Sequence, residues 1–295
     1  HDYLRWRVYR DAIDWDLWSD GVYRARLLRL APDRHIILLG YQHIAVDARS
    51  IAILESQLFG TNKDGVDRPS YKDAVSRRSV RKDRVSAMRY WESQERLLAS
   101  NSPVPKPAIL KILRANVTGD SLDSLGRIAR ASGVSVPQLL FHRFGSQVLR
   151  ETEQTSVVID FVIDERSAPE NQLVGNFAHN VPVVLGHADV DSAEAATAAL
   201  LSALANRPRA AGKTTTMSLP IEAIRHTSTQ PINFNFVRHG ATDPNLAAWA
   251  SEPKVNRFPV HLNYRDPHRF RITLNETIGG LSIALRFNPM LDEEA

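Results

Sequence analysis

The chain has 295 residues, 43% of them apolar, enough to bury a sizeable core in one large or two medium domains. It has no cysteine, which excludes disulfides, thiolate metal sites and a cysteine nucleophile, and suits a reducing compartment, the cytoplasm. The 37 Lys and Arg are nearly matched by 33 Asp and Glu, scattered along the chain, and no apolar run approaches the about 20 residues of a membrane helix, so neither nucleic acid nor membrane is an expected partner.

In chain order, GVYRARLLRL, APDR and HIILLGYQH read as two strands joined by a short turn, with apolar and basic residues alternating. That hairpin ends at His43. Helical spacing then places Ile51, Leu54 and Leu58 on one face, with Ser50 as N-cap and Gly60 as the stop, so Asp47 lies at a strand-to-helix junction. Two further helices are predicted at about 70 to 80 and 82 to 99, the second carrying Val85, Met88 and Trp91. The basic run RRSVRKDR, 77 to 84, reads as a solvated helix face. The three prolines of SPVPKPA, 102 to 108, fit neither a helix interior nor a central strand, and mark the boundary between residues 1–102 and 108–295.

The second part opens with strand ILKILRANV and helix SLDSLGRIARASG, which stops at Gly133. A helix capped by Ser135, with Pro137 in its first turn, runs to about Glu151. Strands SVVIDFVI and AHNVPVVL follow, then an alanine-rich helix over about 192 to 206, then strands PINFNFV, FPVHLNY, RFRITLNE and LSIALRF, the last two joined at Gly-Gly. Helices grouped between strands, rather than alternating strictly, favour an α+β fold over a doubly wound sheet.

The stretch YQHIAVDARS places a histidine four residues before an aspartate, just after the strand-like run. Taken alone, H-x-x-x-D is most often an ordinary strand-end histidine beside an acid. A catalytic histidine needs a pKa near neutrality and a rigid mount, which the end of a strand supplies. Asp47 either orients His43 or is occupied by a buried arginine. No G-x-S-x-G elbow or phosphate loop is present, and His261 and His268 lack the spacing of a helical metal site, so no metal or resident cofactor is expected.

QHIAVDARS, following LLRLAPDRHIILLGY, resembles the H-H-x-x-x-D-G motif of condensation domains in nonribosomal peptide synthetases, members of the chloramphenicol acetyltransferase-like superfamily. His43 stands at the second, catalytic histidine and Asp47 at the aspartate, whereas Gln42 replaces the first histidine and Ala48 the glycine. VVIDFVIDER resembles the strand that ends in the family's arginine, here Arg166. LVGNFAHNVPV resembles the G-x-F-x-N-x-x-P segment through Gly175, Phe177 and Pro182, with His179 in place of the asparagine. MSLPIEAI resembles the Q-D-x-P-F-E segment through Pro220 and Glu222, and PINFNFV the strand that follows it.

The resemblance implies two acetyltransferase-like lobes in a V, with the motif on the floor of a tunnel and Gly175, Phe177 and His179 beside the substrate. Only about forty residues precede the motif, so the first lobe is expected to be incomplete at its N-terminus. Donor and acceptor carrier proteins would each bring a substrate tethered to 4'-phosphopantetheine, with neighbouring synthetase modules as further partners. The implied reaction is amide formation between a carrier-bound acyl or peptidyl thioester and the amine of a second carrier-bound substrate. A related acyltransferase forming an ester, and a degenerate domain that binds carriers without chemistry, are the alternatives. Gln42 and Ala48 speak for the last, and the persistence of His43, Asp47 and Arg166 against it. Asp47 is expected to pair with Arg166 rather than with His43, since a partly buried carboxylate and guanidinium form bidentate bonds that fix the loop.

Overall fold

The computed structural model describes residues 15–58, 70–77, 84–95, 111–207, 232–238, 270–277 and 280–287. The linker SPVPKPA, the segments MSLPIEAI and FPVHLNY, and His261 and His268 lie outside them. Of the described residues, 15–58, 70, 71 and 166–177 form one compact unit and the others a second. Arg166 to Phe177 therefore belong with the segment around His43 although they lie far along the chain.

In the first unit a short helix α1 (Leu17–Asp20) precedes the hairpin β1 (Tyr23–Ala31) and β2 (Arg34–Tyr41). The strands pair antiparallel from Tyr23 opposite Tyr41 to Ala31 opposite Arg34, with one irregularity between Arg29 and Ala31. Pro32 and Asp33 make the turn, where the fixed φ of proline suits the second position of a β-turn. Helix α2 (Ala48–Leu58) follows.

Its start and its buried face both differ from the sequence expectation. Asp47, not Ser50, is the N-cap, because its Oδ1 accepts from the Ser50 amide at 2.8 Å. The buried residues are Ser50, Ile53 and Ser56, while Leu58 is exposed. Both serine hydroxyls are satisfied, Ser56 on the Ile53 carbonyl one turn back at 2.8 Å and Ser50 on the distant Gly175, so burying them leaves no orphaned hydroxyl.

The second unit holds most of helix α3 (Tyr71–Arg77), α4 (Arg84–Glu95), α5 (Gly119–Ala131), α6 (Val136–Thr152) and α7 (Ala193–Asn206). Its strands are β3 (Lys111–Thr118), β4 (Ser156–Asp164), β5 (Ala178–Gly186), β6 (Ile232–Arg238), β7 (Phe270–Thr277) and β8 (Gly280–Phe287). They form one sheet in the order β3-β8-β7-β6-β4-β5. The pairs β4 with β6 and β6 with β7 are parallel and the other three antiparallel, so the sheet is mixed and the α+β content is as expected.

Gly133 terminates α5 with φ +64°, a left-handed conformation that glycine adopts without penalty. Ser135 and Gln138 close a capping box at the start of α6, with Pro137 in its first turn. In α4 it is Ala87 and Trp91 that are buried; Val85 is exposed, and the Trp91 indole donates to the Asn206 carbonyl at 2.9 Å.

Helix α6 carries Phe141 and Phe144 against the sheet. Phe141 meets Phe161 and Phe234 edge-on at 5.2 and 5.3 Å between centroids, and Phe161 stacks on Phe234 at 5.3 Å. A side chain at Gly145 would fall 2.6 Å from Leu185 Cδ1, so a larger residue there would require Leu185 to shift. Phe141→Ala should therefore lower the unfolding free energy by about 3–5 kcal/mol, because packing on both sides of the ring resists collapse into the void. Urea unfolding followed by intrinsic fluorescence would measure the loss as a shifted midpoint at constant slope.

Candidate active site

The site is built on the turn between β2 and α2. The Gln42 carbonyl accepts from the amides of Ala45 and Val46 at 3.0 and 3.3 Å, which bends the chain immediately after the hairpin. His43 and Ile44 ride on this bend and are exposed, whereas Val46 and Asp47 turn inward and are buried. Ala48 and Arg49 then open α2.

Beneath the bend, Asp47 and Arg166 meet across 119 positions of sequence. Arg166 Nη1 donates to Oδ2 at 2.6 Å and Nη2 to Oδ1 at 2.9 Å, a bidentate pair whose side chains are 1% and 5% exposed. The Ser50 amide donates to Oδ1 at 2.8 Å and the Phe177 amide to Oδ2 at 2.9 Å, so each carboxylate oxygen accepts two bonds. None of these partners is His43. Of the two roles the sequence left to Asp47, the structure places it on the arginine.

The rest of the guanidinium is equally engaged. Nη2 reaches the Ser50 hydroxyl at 2.7 Å and the Gly175 carbonyl at 3.1 Å, Nε reaches the Leu173 carbonyl at 3.3 Å, and the planar group lies over the Phe177 ring, 4.2 Å from its centroid. The Ser50 hydroxyl in turn donates to the Gly175 carbonyl at 2.6 Å and accepts from the Gly175 amide at 2.9 Å.

Burial pushes the Asp47 carboxyl upward. Hydrogen bonds from Arg166, Ser50 and Phe177, with the Arg166 charge, outweigh it and hold the group below its ordinary 3.8.

Tyr71 closes the loop side of this cluster. Its hydroxyl donates to the Asn176 carbonyl at 2.8 Å, and its ring meets Phe177 edge-on at 5.0 Å. A Cβ on Gly175 would fall 2.1 Å from Tyr71 Cδ2, so that position admits glycine alone. Arg49 Nε donates to the Asn171 carbonyl at 3.0 Å, and Asn176 Nδ2 to the His43 carbonyl at 2.9 Å.

The structure thus gathers His43, Asp47, Arg166, Gly175 and Phe177 in one unit. Gly175 and Phe177, which the resemblance puts beside the substrate, are packed as frame: Tyr71 covers the first, and the second is 3% exposed beneath Arg166 and Tyr71. His179 lies on β5 opposite Ile163, in the second unit. Ser50 was read only as a helix cap, and Tyr71 and Asn176 escaped the sequence reading. A serine three residues after Asp47 at a helix start was a legible signal for the first; the other two act through backbone atoms of distant loops and left none.

This motif set has a counterpart among known proteins. The family model of the condensation domain matches residues 8–233. The chain belongs to the condensation-domain family. A nonribosomal peptide synthetase, kk1B of Curvularia clavata, is 27% identical over 203 residues, covering 60% of this chain and 2% of that protein. A solved structure concerned with condensation domain-mediated chain release from the enacyloxin polyketide synthase covers 98% of this chain and 61% of its own, with a TM-score of 0.69 and 19% identity. The X-domain from teicoplanin biosynthesis matches with the same TM-score at 18% identity, covering 97% of this chain and 71% of its own. The fold is shared by domains of different roles, so the chemistry must be argued from the site.

The depressed carboxyl at Asp47 sets an acid limit on stability. Its contribution is fully present above the unfolded value of 3.8 and is lost as pH falls from there through the native value. Comparing wild type with Asp47→Asn, the gap in unfolding free energy should be constant near neutrality, narrow below pH 3.8 and close once the native carboxyl is protonated. Urea titrations across this range provide the check.

Proposed function

We propose that this condensation domain joins a carrier-bound acyl or peptidyl thioester to the amine of a second carrier-bound substrate, with His43 as the residue that meets the reacting nitrogen. The reading is carried by one observation: an exposed histidine on a bend whose underside is fixed by a fully engaged Asp47–Arg166 pair. Such a mount presents the imidazole while the carboxylate beneath it is committed elsewhere. The phosphopantetheine arms of the two carriers serve as tethers of the substrates.

In the reaction the amine nitrogen attacks the thioester carbonyl carbon, forming the C–N bond and placing negative charge on oxygen. The carbonyl re-forms as the C–S bond breaks. The proton lost by nitrogen ends on the departing sulfur, giving an amide and a free thiol. A neutral amine is already a good nucleophile, so His43 holds it in line and takes that proton, worth roughly 10² to 10⁴ in rate. Backbone amides at the Asp47 to Ala48 turn, where α2 begins, are the donors proposed for the developing oxyanion.

A second reading has its own support. Gln42 and Ala48 stand where the family motif has histidine and glycine, which favours a domain that holds carriers without transfer. Intact-protein mass spectrometry of loaded donor and acceptor carriers separates the two. Wild type should shift the acyl mass to the acceptor, and His43→Ala should slow the shift by about 10² or more while carrier affinity stays unchanged. A hydroxyl acceptor, which must shed its proton as it attacks, should lose more than an amine if the product is an ester. Equal transfer by wild type and His43→Ala would contradict the assignment of His43, and no transfer by wild type would favour the second reading.

A further inference from the structure

Three consecutive loop residues each hold a different point of the segment that carries His43. The amide and carbonyl of Gly175 bond Ser50, the amide of Phe177 bonds Asp47, and the side-chain amide of Asn176 donates to the His43 carbonyl at 2.9 Å. The first two contacts are buried and secure α2. The third is exposed and falls on the histidine's own peptide, where the bend has already committed the Gln42 carbonyl to Ala45 and Val46. Asn176 is itself held, since its carbonyl accepts from the Tyr71 hydroxyl at 2.8 Å and the next residue packs between Arg166 and Tyr71.

We propose that Asn176 is a positioning residue for His43: its Nδ2 fixes the carbonyl of the peptide that bears the imidazole, and so sets where the ring stands over the Asp47–Arg166 frame. The inference rests on the reading of His43 given above. His43 and Ile44 are exposed on the bend, where a bond to the peptide carbonyl restricts how the plane can rock, and a side chain on a rocking peptide samples positions that do not support in-line attack. A displacement of about 1 Å at a reacting group can cost as much as roughly 10²-fold in rate. The amide is suited to the task because it donates to a carbonyl without bringing charge to the histidine.

Asn176→Asp tests this with almost no change of shape, replacing the donor by an acceptor that faces the His43 carbonyl. In the full chain, isotope-edited NMR should show the His43 carbonyl carbon shifted and the amides of residues 43 and 44 more mobile, with the Asp47 and Phe177 amides and the thermal midpoint near wild type. In carrier-to-carrier transfer, kcat should fall about tenfold or more while KM for the acceptor carrier is unchanged, and Asn176→Ala should behave likewise. Unchanged His43 signals in both variants would overturn the proposal. So would His43 changes that arrive only together with shifts at Asp47 and Phe177 and a lowered midpoint, since that pattern describes a general loosening. If His43→Ala itself transfers at the wild-type rate, the reading of His43 fails on that result alone. The NMR comparison then still decides whether Asn176 fixes the peptide.

Discussion

The buried Asp47–Arg166 pair is the constraint on which the first unit depends. Removing a carboxylate and a guanidinium from water costs several kcal/mol for each ion, and their mutual attraction offsets this only when the remaining lone pairs and N–H groups are satisfied too. Here they are. Asp47 accepts four bonds, and Arg166 is shared among Asp47, Ser50, Leu173 and Gly175. Neither group can leave without stranding the other, and each pins a backbone: Asp47 the start of α2, Arg166 the loop up to Phe177. A pair that adds little net stability can still fix which loop meets which helix.

That commitment divides the labour at the site. Asp47 has no acceptor capacity left to orient an imidazole, so it does not serve as the supporting carboxylate of a relay through His43. The bonds on the His43 segment are made elsewhere: the Gln42 carbonyl accepts from Ala45 and Val46, and the His43 carbonyl accepts from the Asn176 side chain. The arrangement suits a reaction in which the nucleophile is a neutral amine and modest proton handling is enough. Gln42 contributes to the bend through its main-chain carbonyl, a role that any residue can fill, which is why a motif lacking its first histidine can keep this local geometry.

Much of the fold was legible in the sequence because it is local. Period-two alternation marked β1 and β2, Gly133 marked the end of α5, and Ser135 with Pro137 marked the start of α6. The pairing of Asp47 with Arg166 came from family resemblance and not from spacing, since nothing local joins positions 119 apart. Where the reading slipped, a residue had two uses. Asp47 is both cap and ion partner, so the helix starts earlier than Ser50 suggests, and Ser50 is buried as a hydrogen-bond hub where the sequence offered it as a cap. Sheet order was hidden for a different reason: β3 pairs with β8, from the far end of the chain, and no periodicity encodes that choice. Tyr71 was invisible because its effect is exerted on Gly175, where a missing side chain makes the room.

The mutual dependence of Asp47 and Arg166 can be measured most directly by a double-mutant cycle in urea unfolding, with Asp47→Asn, Arg166→Met and the two combined. Each single change should cost about 3–5 kcal/mol by leaving a buried charge unpaired, and the combined variant should be no less stable than the worse single one. Costs that simply add in the combined variant would contradict the account, because they would mean that the two residues hold the helix and the loop independently of each other.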